Sequence, residues 1–94
     1  MPRIKWTPPA YADLGQIVLY IAEDNRTAAV RMATRVREAV KPLGRHPTLG
    51  RIGRVEGTRE LVVVGTPYIV VYRTGEAVEI LAVVHGARDW PDAF

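Results

Sequence analysis

The sequence predicts a small α+β domain in which an N-terminal helical hairpin packs on a small, mainly antiparallel, twisted sheet. Three observations predict it. Two consecutive stretches carry apolar residues at helical spacing, three later stretches have the pattern of strands separated by tight turns, and the chain has only 94 residues, of which 48% are hydrophobic and 24% charged. That length allows one ordered domain, residues 1–94, with the predicted order β-α-α-β-β-β.

The first half of the chain is predicted to contain one short strand and the two helices. Polar and apolar residues alternate over Arg3–Thr7, which indicates a strand with Trp6 facing inward. Thr7 is a suitable N-cap and Pro8 fits a first helical turn, and Glu23–Asn25 supplies a turn and a new cap for the second helix. The apolar stripes are Ala10, Leu14, Ile17, Val18 and Ile21 on the first helix, and Ala29, Met32, Ala33, Val36, Val40 and Leu43 on the second.

The second half is predicted to contain a glycine-rich loop and a three-stranded meander. Residues 44–58 include four glycines and Pro47, a composition typical of a loop. Strands are predicted over Arg59–Val64, Tyr68–Arg73 and Ala77–His85, with tight turns at 65–67 and 74–75. Because their apolar runs are nearly continuous, we expect the centre of the sheet to be buried on both faces.

The composition excludes several classes of function. The chain has no cysteine and two histidines, so neither a disulfide scaffold nor a metal site is expected, and no cofactor is predicted. No apolar run approaches the ~18 residues of a membrane span, and no stretch resembles a cleavable signal. We therefore expect a cytoplasmic protein without a membrane partner.

Positive charge is concentrated in the middle of the chain. The net charge is +3, but residues 26–59 carry nine basic side chains against two acidic ones, a local net charge of +7. Arg31 and Arg35 lie four residues apart on the second predicted helix. This pattern predicts an anionic partner, since Arg binds carboxylates and phosphates with a planar fork. The alternative is a solvated helix face with internal salt bridges.

Several segments together carry a family resemblance. They are the opening pattern of strand, Pro, Ala and Asp, then HPTLGR (His46–Arg51), RELVV (Arg59–Val63), PYIVVYR (Pro67–Arg73) and VEILAVVHGARDWP (Val78–Pro91). In this order of elements the chain resembles the RelE/ParE superfamily of toxins from bacterial type II toxin–antitoxin modules. The resemblance implies a growth-inhibiting toxin, as in plasmid stabilization, held in a hetero-oligomer by a cognate acidic antitoxin that is encoded adjacently.

RelE-like members of the superfamily are ribosome-dependent mRNA endoribonucleases. Their chemistry needs a general base, a general acid and cations on the developing phosphorane charge. In these members an Arg usually begins the stretch that matches Ile69–Tyr72, so it is replaced here by Ile69, and the preceding strand has Glu60 and Val62 where basic residues are common. The resemblance therefore implies an incomplete ribonuclease constellation.

Four residues remain as catalytic candidates if the chain is a ribonuclease. His85 and Arg88 on the terminal strand and tail could supply acid–base and charge roles. Arg59 and Arg73 have side chains long enough to compensate for the Arg missing at Ile69. Whether the chain is an enzyme at all is left open.

ParE-like members inhibit DNA gyrase and need no catalytic set. Val83–Asp89 is similar to the ending that these members often have, an apolar run followed by His, a basic residue and Asp. We therefore predict growth arrest through gyrase. The alternatives are RelE-like mRNA cleavage on the ribosome, and an inactive relic that only binds antitoxin.

The predicted site residues each have a structural alternative. Target contacts are predicted for Arg59, Arg73, His85, Arg88 and Trp90. Strand-end residues such as His85 often bind backbone groups instead, the two strand-end arginines can be ordinary edge charge, and Trp90 with Pro91 can dock the tail on the domain. Antitoxin contacts are predicted for Arg31 and Arg35.

Overall fold

Two helices and a five-stranded sheet form the structure, a computed structural model that describes residues 3–88 and 90–94. In chain order the elements are β1 (Arg3–Trp6), α1 (Pro8–Ala22), α2 (Arg26–Val40), a 3₁₀ turn (Lys41–Gly44), β2 (Arg51–Ile52), β3 (Arg59–Val62), β4 (Tyr68–Arg73) and β5 (Ala77–His85). The sheet has the strand order β1-β5-β4-β3-β2. The predicted α+β class is confirmed.

The sheet is antiparallel except at one edge. β1 pairs with β5 in parallel, with Arg3 opposite Ala77 and Trp6 opposite Ile80. The helical hairpin and the β2–β4 meander connect these two strands along the chain, and α1 packs against β5. A register shift in the β4–β5 pairing lies at Val71 and Tyr72.

Thr7 and Asp13 form further hydrogen bonds with β5 beyond the end of β1. The backbone N–H and the hydroxyl of Thr7 both donate to the carbonyl of Ile80, at 3.1 and 2.7 Å. One turn into α1, the carboxylate of Asp13 accepts the N–H of Val83 at 3.0 Å. These bonds fix the start of α1 against β5 and satisfy backbone groups that a further strand would otherwise bind.

The helix termini follow the predicted caps. The Thr7 hydroxyl accepts the Ala10 N–H at 3.4 Å, and the Asn25 side chain accepts the Ala28 N–H at 2.9 Å. α2 ends at Val40 and continues as the 3₁₀ turn, where Pro42 provides no backbone N–H for a longer helix. Within the described residues, neither helix has the length and apolar character that a membrane crossing needs.

The predicted loop over residues 44–58 contains one additional element. β2 pairs with β3 over two residues, Arg51 opposite Glu60 and Ile52 opposite Arg59. The N–H of Gly53 donates to the carbonyl of Thr58 at 2.8 Å and closes the connection between the two strands. β3 ends at Val62, two residues before the predicted end, since the turn into β4 begins at Val63 and places Gly65 at φ 80°.

The core lies between the helices and one face of the sheet. Both predicted stripes contribute to it, and its buried members are Ala10, Leu14, Val36, Val40, Leu43, Val63, Val70, Tyr72, Val78, Ile80 and Val83. On β4 the residues that alternate with Val70 and Tyr72 point to the opposite face, which we call the far face. Ile69 and Val71 on the far face are also buried, at 7% and 0% exposure, so the expectation of burial on both faces is confirmed.

Candidate functional site

A cleft of about 320 Å³ lies between α1 and the ends of β4 and β5. We call it the terminal cleft, and its lining consists of Gln16, Ile17, Tyr20, Tyr68, Val83, Val84, His85 and Arg88. Apolar side chains form part of the wall, and one imidazole, one guanidinium, one amide and two phenols are the polar groups around it. This set can offer hydrogen bonds, an aromatic surface and a positive charge to a ligand.

His85 is oriented by two contacts. Its Nδ1 accepts the N–H of Ala87 at 3.1 Å, so the neutral ring carries its proton on Nε2. Its ring meets that of Tyr68 edge to face, with centroids 5.8 Å apart, because the two residues are opposite each other in the β4–β5 pairing. Nε2–H is therefore the group that His85 can present to a partner.

Arg88 reaches the terminal cleft because the chain turns sharply after β5. Its N–H donates to the carbonyl of His85 at 3.1 Å, and the N–H of Gly86 donates to the carbonyl of Pro67 at 2.8 Å. A Cβ at Gly86 would lie 3.2 Å from Cδ1 of Ile69, so this turn packs closely on β4. Of the five predicted target contacts, His85 and Arg88 are the two that the fold brings together at the cleft.

Arg59 and Arg73 are bound elsewhere. Arg59 donates to the carbonyl of Gly50 at 2.8 Å and lies within 3.5 Å of the carbonyl of Thr48. Nε of Arg73 donates to the Glu79 carboxylate at 2.7 Å, and this ion pair holds the pKa of Glu79 below its usual value. Neither arginine lines the terminal cleft.

Trp90 lies against the domain, and its ring packs on the guanidinium of Arg54. The distance from Cζ of Arg54 to the ring centroid is 3.5 Å, which is a cation–π contact. The indole N–H donates to the carbonyl of His85 at 3.3 Å. These contacts dock the tail, the structural role that the sequence allows for Trp90.

Arg31 and Arg35 are exposed on α2, away from the terminal cleft. Within residues 3–88 and 90–94 neither of them forms an ion pair with a carboxylate. The guanidinium of Arg35 lies over the turn between β3 and β4, where a Cβ at Gly65 would meet its Nη2 at 2.6 Å. The Arg35 guanidinium thus lies beside the sheet at this turn, and Arg31 is exposed four residues earlier on α2.

The motif HPTLGR has a structural role in this chain. The hydroxyl of Tyr72 donates to the carbonyl of Pro47 and accepts the N–H of Gly50, both at 2.8 Å. Together with the Arg59 bond to Gly50, this fixes residues 47–50 on the sheet. We call Pro47, Gly50, Arg59 and Tyr72 the loop anchor. Burial raises the pKa of Tyr72 above its usual value despite the Gly50 bond and the charge of Arg59, so its hydroxyl stays protonated.

Three residues that line the terminal cleft were not predicted from the sequence. Tyr68 follows from the predicted hairpin, because a turn at 74–75 places it near the end of β5. Tyr20 and Gln16 lie on the exposed side of α1, where no local pattern distinguishes them from ordinary surface residues. In the described part of the chain, no three side chains among His, Asp and Glu gather as a metal site would require.

Comparison with known proteins assigns this architecture to a family. A family model described as "ParE toxin of type II toxin-antitoxin system, parDE" matches residues 4–90. The chain is 45% identical over 92 residues to "Putative toxin Y4kP" of Sinorhizobium fredii, covering 98% of this chain and 96% of that protein. It is 39% identical over 89 residues to "Toxin RelE2" of Caulobacter vibrioides, covering 94% and 99%.

A solved structure agrees with these sequence relatives. The chain aligns with one described as "Chromosomal ParDE TA system from P. aeruginosa" at a TM-score of 0.81 and 30% identity, covering 90% of this chain and 96% of the other. The chain belongs to the ParE toxin family, within the RelE/ParE superfamily. It is the toxin of a type II toxin–antitoxin system, and membership of that class implies an antitoxin partner.

Proposed function

We propose that this toxin arrests growth through ParE-like inhibition of DNA gyrase in the cytoplasm, with residues 1–94 acting as one toxin domain. The supporting observation concerns the cations that a ribonuclease would need. Ile69 is buried beneath Gly86, so this strand position presents no side chain to a ligand. Arg59 and Arg73, which could compensate, are bound to Gly50 and Glu79. Binding, which needs no such constellation, is therefore the favoured mode of action.

The surface proposed to contact the target is the terminal cleft. Nε2–H of His85 and the guanidinium of Arg88 supply a donor and a charge at its rim. Ile17 and Tyr68 add apolar and aromatic surface to the same cleft. An arginine beside aromatic side chains is typical of the residues that dominate protein–protein binding energy.

A supercoiling assay with the purified chain and DNA gyrase tests this proposal. We expect inhibition in proportion to toxin concentration, and relief when the antitoxin is added. Expression in cells should induce the DNA-damage response, and His85→Ala should weaken growth arrest only modestly. Unaffected supercoiling would refute the proposal if the same preparation arrests growth.

A ribosome-dependent endoribonuclease is the second candidate, favoured by one observation. The imidazole of His85 and the guanidinium of Arg88 line the same cleft, an arrangement that can serve acid–base chemistry beside a phosphate. Under this alternative, His85→Ala would lower a single-turnover cleavage rate by ~10²–10⁴, the usual contribution of a general acid or base. Codon-positioned cleavage of ribosome-bound mRNA by the wild-type chain would establish it.

We also propose that Arg31 and Arg35 bind the antitoxin. Their exposed positions on α2, within the segment of net charge +7, suit an acidic amphipathic segment that folds on binding. Arg31→Glu with Arg35→Glu should slow association at least ~10-fold at low salt and reduce its salt dependence. Arg26→Glu with Arg45→Glu makes the same change of charge at other exposed positions. Equal rates for the two double variants would refute the assignment.

A further inference from the structure

The centre of the far face is buried although both helices lie on the other side of the sheet. Val71 has no exposed surface, and Ile69 is 7% exposed. Glu60 is opposite Val71 in the β3–β4 pairing and therefore also belongs to the far face. Other parts of the chain must cover this side, and the bonds of Glu60 lead to them.

Glu60 is a buried carboxylate that binds two arginines. Its side chain is 2% exposed, and Oε1 accepts Nε and Nη2 of Arg51 at 3.2 and 3.0 Å. Oε2 accepts the backbone N–H of Arg54 at 2.7 Å and its Nε at 3.3 Å. Burial alone would raise the pKa of Glu60, but these bonds outweigh it and the pKa is lowered. A charge buried this deeply needs its partners, so it holds the Arg54 guanidinium in place.

Arg54 in turn supports Trp90, and Trp90 supports the turn that carries Arg88. The Trp90 ring packs on the Arg54 guanidinium, and its indole N–H binds the His85 carbonyl. The same carbonyl accepts the N–H of Arg88. Contacts therefore run without interruption from a buried carboxylate on β3 to the rim of the terminal cleft.

We infer that Glu60, Arg54 and Trp90 form a tail clamp, which fixes the C-terminal tail on the domain and thereby positions Arg88 at the terminal cleft. All three are positioning residues, since none of them lines the cleft. The inference rests on the proposed function in one respect, that Arg88 at the cleft contributes to growth arrest.

Fluorine NMR of the full chain labelled with fluorotryptophan tests the clamp itself. The chain has two tryptophans, and Trp6 serves as an internal reference for the fold because it packs on the core beside Tyr11. In Arg54→Ala the population of undocked tail should rise about fivefold, which corresponds to about 1 kcal/mol for a cation–π contact. The Trp90 signal then moves towards its solvent-exposed position, and the Trp6 signal stays in place.

Arg51→Ala is the matched control. It also removes one arginine from Glu60, but within the described residues Arg51 forms no hydrogen bond or cation–π contact with Trp90. Its Trp90 signal should match that of the wild type, and Glu60→Gln should give a shift between those of the two arginine variants. An unmoved Trp90 signal in Arg54→Ala, or equal shifts in Arg54→Ala and Arg51→Ala, would overturn the clamp.

Growth arrest provides the functional measurement. Trp90→Ala should weaken arrest at least as much as Arg54→Ala, because it removes the indole bond to the His85 carbonyl as well as the contact with Arg54, and the double variant should be no weaker than Trp90→Ala. Trp90→Phe keeps the stacking but lacks the indole bond, so its arrest should lie between those of the wild type and Trp90→Ala. Full arrest by Arg54→Ala with a displaced Trp90 signal would overturn the positioning role. Failure of the proposed function is distinguishable, since the wild-type chain would then leave gyrase supercoiling unaffected, whereas the position of the Trp90 signal does not depend on the target.

Discussion

The loop anchor and the terminal cleft use similar residue types in opposite ways. In the loop anchor, the Tyr72 hydroxyl and the Arg59 guanidinium are bound to backbone groups of residues 47–50. In the terminal cleft, Tyr20 is 67% exposed, and the hydrogen bond that Arg88 forms within the described residues uses its backbone N–H and leaves its guanidinium out. Tyrosine and arginine thus bind the protein's own backbone in the loop anchor, and they are accessible to a partner in the terminal cleft.

This difference shows that a recognisable motif need not mark a site of action. HPTLGR places two residues in the loop anchor, and RELVV and PYIVVYR place one each. The bonds made there use the arginine and the tyrosine, and the close approach of the chain requires the glycine. Residues available for binding lie instead on the outer side of α1 and at the end of β5. Variants in the two regions should therefore separate stability from toxicity.

The largest effect on stability is expected for Gly50→Ala in the loop anchor. A Cβ there would lie 2.7 Å from the Tyr72 hydroxyl and 2.8 Å from the Glu60 carbonyl, so backbone must move. We expect a loss of about 3 kcal/mol in the free energy of unfolding, measured by chemical denaturation. Gly15→Ala is the control, because a Cβ at Gly15 has no atom within 4 Å. It should stabilise α1 by ~0.5–1 kcal/mol, and a loss at both positions would contradict the comparison.

Tyr72→Phe should have the next largest effect. The substitution keeps the buried ring but leaves the N–H of Gly50 and the carbonyl of Pro47 without their bonds to the hydroxyl. Unsatisfied buried groups cost ~1–3 kcal/mol, so we expect a decrease of about 2 kcal/mol in thermal or chemical unfolding. Tyr20→Phe removes a hydroxyl at the terminal cleft and should leave stability unchanged. Equal losses in the free energy of unfolding for Tyr72→Phe and Tyr20→Phe would contradict the distinction between the loop anchor and the terminal cleft.

A smaller effect with a defined pH dependence is expected at Asp13. Burial raises the pKa of this carboxyl above its usual 3.8, although the Val83 N–H bond acts against the shift. The protonated carboxyl therefore adds to the free energy of unfolding. This stabilisation is fully present below pH 3.8 and is lost as the pH rises through the raised pKa. Asp13→Asn keeps an acceptor for Val83, so at pH 7 it should equal or exceed the wild type in stability, and this advantage should vanish near pH 3.

Asp13→Ala is the companion variant, because it removes the acceptor. It should lose about 1 kcal/mol at pH 7, measured by denaturant titration. If Asp13→Asn is as unstable as Asp13→Ala at neutral pH, the charge of Asp13 matters more than the bond to Val83.

The smallest effect on stability is expected at the cleft itself. Tyr20 is largely exposed and its hydroxyl has no hydrogen bond among the described residues, so Tyr20→Ala should change the free energy of unfolding by less than about 0.5 kcal/mol. Growth arrest should nevertheless weaken. A stable variant with undiminished arrest would place the target surface elsewhere.

Much of the fold could be predicted from the sequence because its determinants are local. The stripes that include Leu14 and Val36 and the caps at Thr7 and Asn25 are set by neighbours within a few residues, and the structure has all of them. The meeting of Tyr68 with His85 also follows from a hairpin register. Contacts between distant segments could not be predicted.

Arg54 and Trp90 show why the rest of the site escaped prediction. They belong to a loop and to the tail, 36 positions apart, and Glu60 on a third segment binds Arg54 where the two meet. The partner of Arg59 likewise depends on the path of residues 47–50. Such contacts have no periodicity, so the sequence suggests candidates for the site without showing which of them are already bound.

The most direct test of the comparison is growth arrest by Arg88→Glu at matched expression, with the thermal midpoint measured on the same chain. Arg45→Glu is the control, since it makes the same change of charge at an exposed position outside both regions. Arg88→Glu should keep the wild-type midpoint and lose growth arrest, and Arg45→Glu should keep both. Full arrest by Arg88→Glu at an unchanged midpoint would contradict the assignment of the terminal cleft.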